Sequence, residues 1–187
     1  MAGTRDARQR ILDATAELVT VGGLDAATPA AIAERAGAGK MSLYRHFSGK
    51  DELVAEALAE RDPGYRAWLV GDPEDGTPSE RLLAVFDRAA RAADHSGTSF
   101  IGCPYVHARL DLPDDDHPAA PVVATHKDGM LRDLAALLTE IGVRDPEQRA
   151  QVVLMLLDGA VVHSVIRGNG DPLRAARFAL PGLISAP

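Results

Sequence analysis

The chain has 187 residues, 46% hydrophobic and 25% charged, enough to bury a sizeable core without disulfide or metal staples. A single cysteine, Cys103, excludes an internal disulfide and any zinc cluster built on cysteines, and fits a reducing compartment. Residues 1–50 hold seven Lys/Arg against five Asp/Glu, a balance of +2, which leaves −9 on residues 51–187 of the total −7. An acidic chain with a basic end is compatible with a local nucleic-acid-binding head, but so weak an excess also arises by chance. No uninterrupted apolar run approaches the ~18 residues of a membrane helix. The first 20 residues lack the apolar stretch of a secretory signal, so a cytoplasmic protein is expected.

Abundant alanine and only 4% aromatic residues favour helix over sheet, and no strand-like alternation runs beyond about four residues. The expected fold is all-α with about nine helices. The first runs from about Thr4 to Val21, with Ile11, Thr15, Leu18 and Val19 on one face and Gly22-Gly23 as its stop. Thr28-Pro29 reads as an N-cap followed by an N1 proline, opening a short helix that ends at Gly37. A second short helix spans about Lys40–His46. Ser48 caps a fourth helix, which begins near Lys50-Asp51-Glu52 and reaches Val70. After the turn-rich GDPEDGTP, Ser79 caps a fifth helix that ends before Ser96-Gly97. A short apolar segment at 99–111 and the charged loop LPDDDHP lead to a helix over Ala119–Ile141. Asp145-Pro146-Glu147-Gln148 predicts an N-cap, N1 proline and capping box for a helix to about Arg167. Asp171-Pro172 starts the last helix and Pro181-Gly182 ends it.

Residues 28–47, TPAAIAERAGAGKMSLYRHF, place two short helices around a glycine turn. Ile32, Ala33 and Ala36 are the apolar positions of the first, and Leu43 and Phe47 are those of the second. That spacing suits a helix-turn-helix whose second helix frees an outer face for the major groove. It equally suits an αα-hairpin with a solvated polar face. Farther on, QVVLMLLDGAVVHSVI (151–166) is apolar nearly all round, which demands burial on both sides: a core on one and a partner subunit on the other, or a central position in a monomer. Asp158 interrupts it and needs a partner, either an Arg or His across an interface or a ligand. His163 reads as a packing residue.

The stretch IAERAGAGKMSLYRHFSGKDEL (32–53) resembles the signature of TetR-family transcriptional regulators. The resemblance rests on Ile32, Ala33, Ala36, Gly37, Leu43, Tyr44, His46, Phe47, Lys50 and Leu53, with Ser42 where Ser or Thr is usual. Gly39 departs from a common Ser or Thr, and Met41 from a common Gly or Pro. The resemblance implies a three-helix DNA-binding domain at 1–50 and a helical ligand-binding and dimerisation domain at 51–187. It implies that Thr28, Tyr44, His46 and Lys50 contact phosphates while Lys40, Met41, Ser42 and Arg45 face bases. It also implies a homodimer on a palindromic duplex, paired through the last two helices as a four-helix bundle; the expected interface is Val153, Leu157, Ala160, Val161, Ser164, Leu173 and Phe178.

The segment GCPYVHARLDLPDDDHP (102–118) resembles a GCPF…EFPDxxHP pattern of one branch of that family. Regulators of this type enclose a small-molecule pocket with their mid-chain helices. Aromatic, Met and polar-tipped residues suited to such a pocket are Trp68, Phe86, Phe100, Cys103, Tyr105, His107, His126, Met130 and Met155; each is equally suited to a core. His107, Asp111, His117 and His126 could suggest a metal, with His107 and Asp111 at i, i+4 on one helix face, but there is one Cys and no HExxH or CxxC spacing, so no metal is expected, nor any cofactor. A redox role for Cys103 has little local support, since only His107 and Arg109 lie within six residues of it. Two further readings use the same residues: a helical enzyme with a His/Asp pair in 103–126, and a dimeric ligand-binding module that does not bind DNA. No nucleophile elbow, phosphate loop or dinucleotide motif favours the enzyme.

Overall fold

The computed structural model describes residues 6–114 and 116–184. Among them are nine α-helices and no strand: α1 Ala7–Ala26, α2 Pro29–Ala36, α3 Lys40–His46, α4 Lys50–Val70, α5 Pro78–Ser96, α6 Pro104–Asp111, α7 Ala119–Ile141, α8 Pro146–Arg167 and α9 Asp171–Ile184. The fold is all-α, as composition and periodicity predict; the expected start at Thr4 lies outside the described residues.

The chain forms two compact units, one of residues 1–62 with 104–125 and one of 63–103 with 126–187, so α4 and α7 each contribute to both. In the first unit, Ile11, Leu12, Val19, Ile32, Leu43, Phe47, Leu53 and Leu58 are buried. Helix α1 does not stop at Gly22-Gly23 but breaks there and resumes to Ala26; Gly23 is left-handed (φ 70°). A Cβ on Gly23 would lie 2.6 Å from Asp111 Oδ2 and 2.7 Å from His107 Cε1, so glycine is what lets α6 approach the break. Asp111 Oδ2 accepts a hydrogen bond from the Leu24 backbone N–H (3.2 Å), which α1 leaves unsatisfied at its break.

The second unit packs α5, α7, α8, α9 and the end of α4 around Leu82, Phe86, Leu134, Leu138, Val153, Leu157 and Leu173. Three helix-end expectations are corrected. Thr77, not Ser79, caps α5: it accepts from Glu80 N and Glu80 reaches back to its N–H, with Pro78 in the first turn. These bonds, the backbone one foremost, hold the Glu80 carboxyl below its ordinary pKa. Asp145 is left-handed (φ 54°) and makes no capping bond, so the predicted capping box of α8 does not form. Helix α9 runs on through Pro181 to Ile184. At its start a Cβ on Gly170 would sit 2.5 Å from Ala90 O, and Gly170 N–H donates to Asp94 Oδ1 at 2.7 Å. The missing side chain is what brings α9 against α5.

Helix α8 has a mean hydropathy of 1.5 over 18 residues and is long enough to cross a membrane by length and composition. The expectation that no apolar run approaches that length is corrected to this extent, since Asp158 and His163 interrupt α8 without lowering its mean enough. One side of it lies in the core of its unit, as Val153, Leu154, Leu157 and Ala160 show.

Candidate functional site

The recognition element is built from its caps outward. Thr28 caps α2, accepting from Ala31 N–H at 3.2 Å, with Pro29 in the first turn. The helix ends at Gly37 in the left-handed conformation (φ 57°), whose N–H returns to Glu34 O while Ala38 N–H returns to Ala33 O. Two residues later α3 begins. Leu43 and Phe47 are buried, and burying each is worth about 2 kcal/mol, which sets the rotation of α3. Every other side chain of α3 is then directed outward. Lys40, Met41, Tyr44, Arg45 and His46 are exposed and Ser42 is half-buried. The guanidinium of Arg8 lies 5.4 Å from the Phe47 ring centre and pairs with Glu56, closing the back of the element.

Thr28 is exposed beside this surface, its hydroxyl proton still available to donate. Lys50 is half-buried, and its Nζ donates to Leu24 O at 2.8 Å. Lys50 therefore caps the Leu24 carbonyl in the last turn of α1. Ser48 donates from its backbone N–H (2.9 Å) and its hydroxyl to Glu52, which holds that carboxyl below its ordinary pKa; the hydroxyl bond is the larger cause. Glu52 thereby fixes the turn between α3 and α4.

In the second unit a cleft of about 470 Å³, counting the solvent at its mouth, lies among α4, α5, α7 and α8. Trp68, Phe100, Cys103, His126 and Met130 line it, so five of the nine predicted pocket residues come together. Four do not. Phe86 is fully buried in the core. Tyr105 is fully buried in the other unit, donating to Leu58 O at 3.0 Å, and His107 there stands 3.2 Å from Asp111. Met155 is 65% exposed on the outer side of α8. The sequence reading missed Tyr65 and Lys127, which also line the cleft. Asp158 is there too. It pairs with Lys127 Nζ at 2.7 and 2.8 Å within the same chain rather than with an Arg or His across an interface. His117 lies apart from these, 3.3 Å from Asp51.

This geometry is shared with known regulators. The model of bacterial regulatory proteins of the tetR family matches residues 11–57, and the tetracyclin repressor-like C-terminal domain matches residues 116–186. A solved structure from Streptomyces avermitilis, described as a TetR transcriptional regulator, is 30% identical. The match covers 94% of this chain and 98% of that one, with a TM-score of 0.78. The chain belongs to the TetR family of transcriptional regulators. A TetR-family regulator from Streptomyces coelicolor is 25% identical over 95% of this chain and 94% of its own, with a TM-score of 0.81. The transcriptional repressor KstR of Mycolicibacterium smegmatis is 40% identical over 93 residues, 47% of this chain and 44% of KstR, so the match spans less than half of that relative's length. Family membership assigns the helix-turn-helix element to residues 11–57 and a regulator-type C-terminal domain to residues 116–186.

The TetR architecture draws attention to α8 and α9, which carry the expected interface residues. Val153, Leu157, Ala160, Ser164 and Leu173 are buried in their own unit, Val161 is half-buried and Phe178 is 87% exposed. The outward side of α8 carries Val152, Met155, Gly159, Val162 and Ile166 instead, all exposed. His163 is exposed as well rather than packed. The outer residues fall at i, i+3, i+7, i+10 and i+14, the 3.5-residue period of a helix-pairing seam. That period was the available signal; in a helix apolar nearly all round, either phase satisfies the pattern.

Proposed function

We propose that residues 1–50 bind duplex DNA and that residues 51–187 bind a small molecule and dimerise, as a cytoplasmic repressor released from a palindromic operator by its ligand. The observation that carries this reading is the outward display of α3. Six of its seven residues, Lys40, Met41, Ser42, Tyr44, Arg45 and His46, offer donors and one apolar tip, while Leu43 and Phe47 hold the helix in phase. Lys40, Arg45 and Ser42 can bond base edges, and Met41 can meet a thymine methyl. Thr28, Tyr44, His46 and the remaining N–H groups of Lys50 suit phosphates.

The outer seam of α8 with Phe178 of α9 is an apolar face of the kind that pairs with its own copy. Gly159 lies at its middle with open space above its Cα, which permits close approach of a second α8. A twofold pair carries two copies of α3, and half-sites about 34–36 Å apart are the spacing such dimers read. A ligand in the cleft acts by binding the DNA-competent and incompetent dimers with different affinity. Selection of bound duplexes from a random pool, followed by salt titration of the winners, tests the reading. An enriched inverted repeat whose affinity falls steeply with salt is expected. Enrichment of a single half-site would refute the dimeric operator, and no enrichment would refute the DNA-binding assignment.

A further inference from the structure

Cys103 sits between Gly102 and Pro104, at the entrance to α6. Gly102 is left-handed (φ 80°), and a Cβ there would stand 2.8 Å from Val161 Cγ1, so its absence lets this turn lie against α8. The turn places Cys103 Sγ 3.6 Å from Nε2 of His126, 23 residues away in sequence and 1% exposed. The Tyr65 ring packs edge-on to the imidazole, with centres 5.7 Å apart, and holds its plane. Cys103 itself is half-buried and lines the cleft. Lys127 lines the same cleft, and Asp158 occupies only part of its three-proton donor set. A thiol, a base within reach of its proton and an ammonium thus line one cleft together with Tyr65, Trp68 and Phe100.

We propose that the Cys103–His126 pair makes this cleft a covalent receptor for small α,β-unsaturated carbonyl compounds. The inference rests on the cleft being the ligand site of the reading above and names the ligand class. The thiol proton passes to His126 Nε2 and sulfur bonds the β-carbon. The alkene π pair shifts into the bond between the α-carbon and the carbonyl carbon, and the carbonyl π pair moves onto oxygen, giving an enolate that Lys127 stabilises by donating to it. The imidazolium returns its proton to the α-carbon. No oxidant or reductant is consumed, and the product is a saturated thioether. The enclosed part of the cleft is small, which favours compact acceptors over long-chain ones.

The test uses the full chain, 2-cyclohexen-1-one and, as a saturated control alkylator, iodoacetamide, with adducts followed by intact-protein mass spectrometry. The native chain is expected to take one enone, about tenfold faster than glutathione at neutral pH, and Cys103→Ser to take none. His126→Gln brings the rate to that of glutathione or below. Lys127→Met slows the enone more than iodoacetamide, whereas a merely structural role would slow both alike. A native rate no faster than glutathione overturns the proposal without recourse to any variant, as does an unchanged rate in a folded His126→Gln. In parallel, enone added to a protein–duplex complex is expected to release the DNA. An adduct that leaves duplex affinity unchanged refutes the sensing role. Binding of the untreated chain to duplex is read separately, so failure of the DNA-binding reading is distinguishable from failure of the thiol chemistry.

Discussion

Met41 on α3 and Ile166 on α8 are each 74% exposed, yet their surroundings differ in kind. Met41 stands among Lys40, Tyr44, Arg45 and His46, a surface of donors with one apolar tip. Ile166 ends a seam of Val152, Met155, Gly159 and Val162, with no charge at any of those positions. The same exposed fraction therefore points to different partners. A donor-rich surface suits a hydrated, charged polymer whose phosphates and base edges accept hydrogen bonds. An apolar seam is satisfied only by another apolar surface that excludes water.

Charging the seam tests this difference most severely. Ile166→Glu is expected to convert the proposed dimer to a folded monomer, with sedimentation showing half the mass of the parent and far-UV circular dichroism unchanged. Val153→Glu, on the buried side of the same helix, is expected to unfold the second unit instead. If Ile166→Glu remained a normal dimer, the seam would not be the interface. The corresponding change on α3 is smaller. Arg45→Ala is expected to cost about 1–3 kcal/mol of duplex binding and to relax preference at one base position, checked by titrating variant duplexes at fixed salt. An equal loss on every sequence would move Arg45 to the phosphate-contacting set.

The two helices also differ in how far they are legible in sequence. In α3, Leu43 and, one residue past its end, Phe47 stand at i, i+4 and Met41 falls off that face, so one phase is fixed and the outward residues follow. In α8 the apolar residues fill both phases. Volume and neighbours on α5, α7 and α9 decide which are buried, and none of these is local in sequence. The cleft follows the same logic. Trp68, Phe100, Cys103, His126 and Met130 are readable as pocket-like residues, but Phe86 and Tyr105 have the same chemistry and lie in cores. Nothing in the residues near Cys103 discloses His126 as its neighbour; the fold of α7 supplies it.

The seam depends on how α9 presents Phe178, and α9 is anchored at Asp94. Gly170 N–H donates to this carboxylate, the main reason its pKa lies below the ordinary 3.8, and Arg174 adds a second, weaker hold. A depressed folded pKa contributes stability that is present above the unfolded value and is lost as pH falls through the folded one. Asp94→Asn is therefore expected to lower thermal stability at neutral pH. The difference from the parent should shrink as pH drops below 3.8. A difference that stayed constant to lower pH would show that Asp94 acts through packing rather than charge.

The smallest change sharpens the α3 side. Gly39 is the N-cap of α3, in the extended region (φ −72°, ψ 147°) that any residue adopts, and it makes no side-chain capping bond. A Cβ built there meets nothing within 4 Å. Serine fits without strain and its hydroxyl can accept from an N–H of the first turn, worth about 0.3 kcal/mol over glycine. For a chain of this size that corresponds to a rise of about 1 °C in Tm, readable by calorimetry. Because serine also restricts the turn before α3, duplex affinity should rise slightly on every sequence, with base preference unchanged. A shift in preference would mean that the backbone at Gly39 itself approaches the DNA. Met41, two residues on, would then share its role with a position that has no side chain.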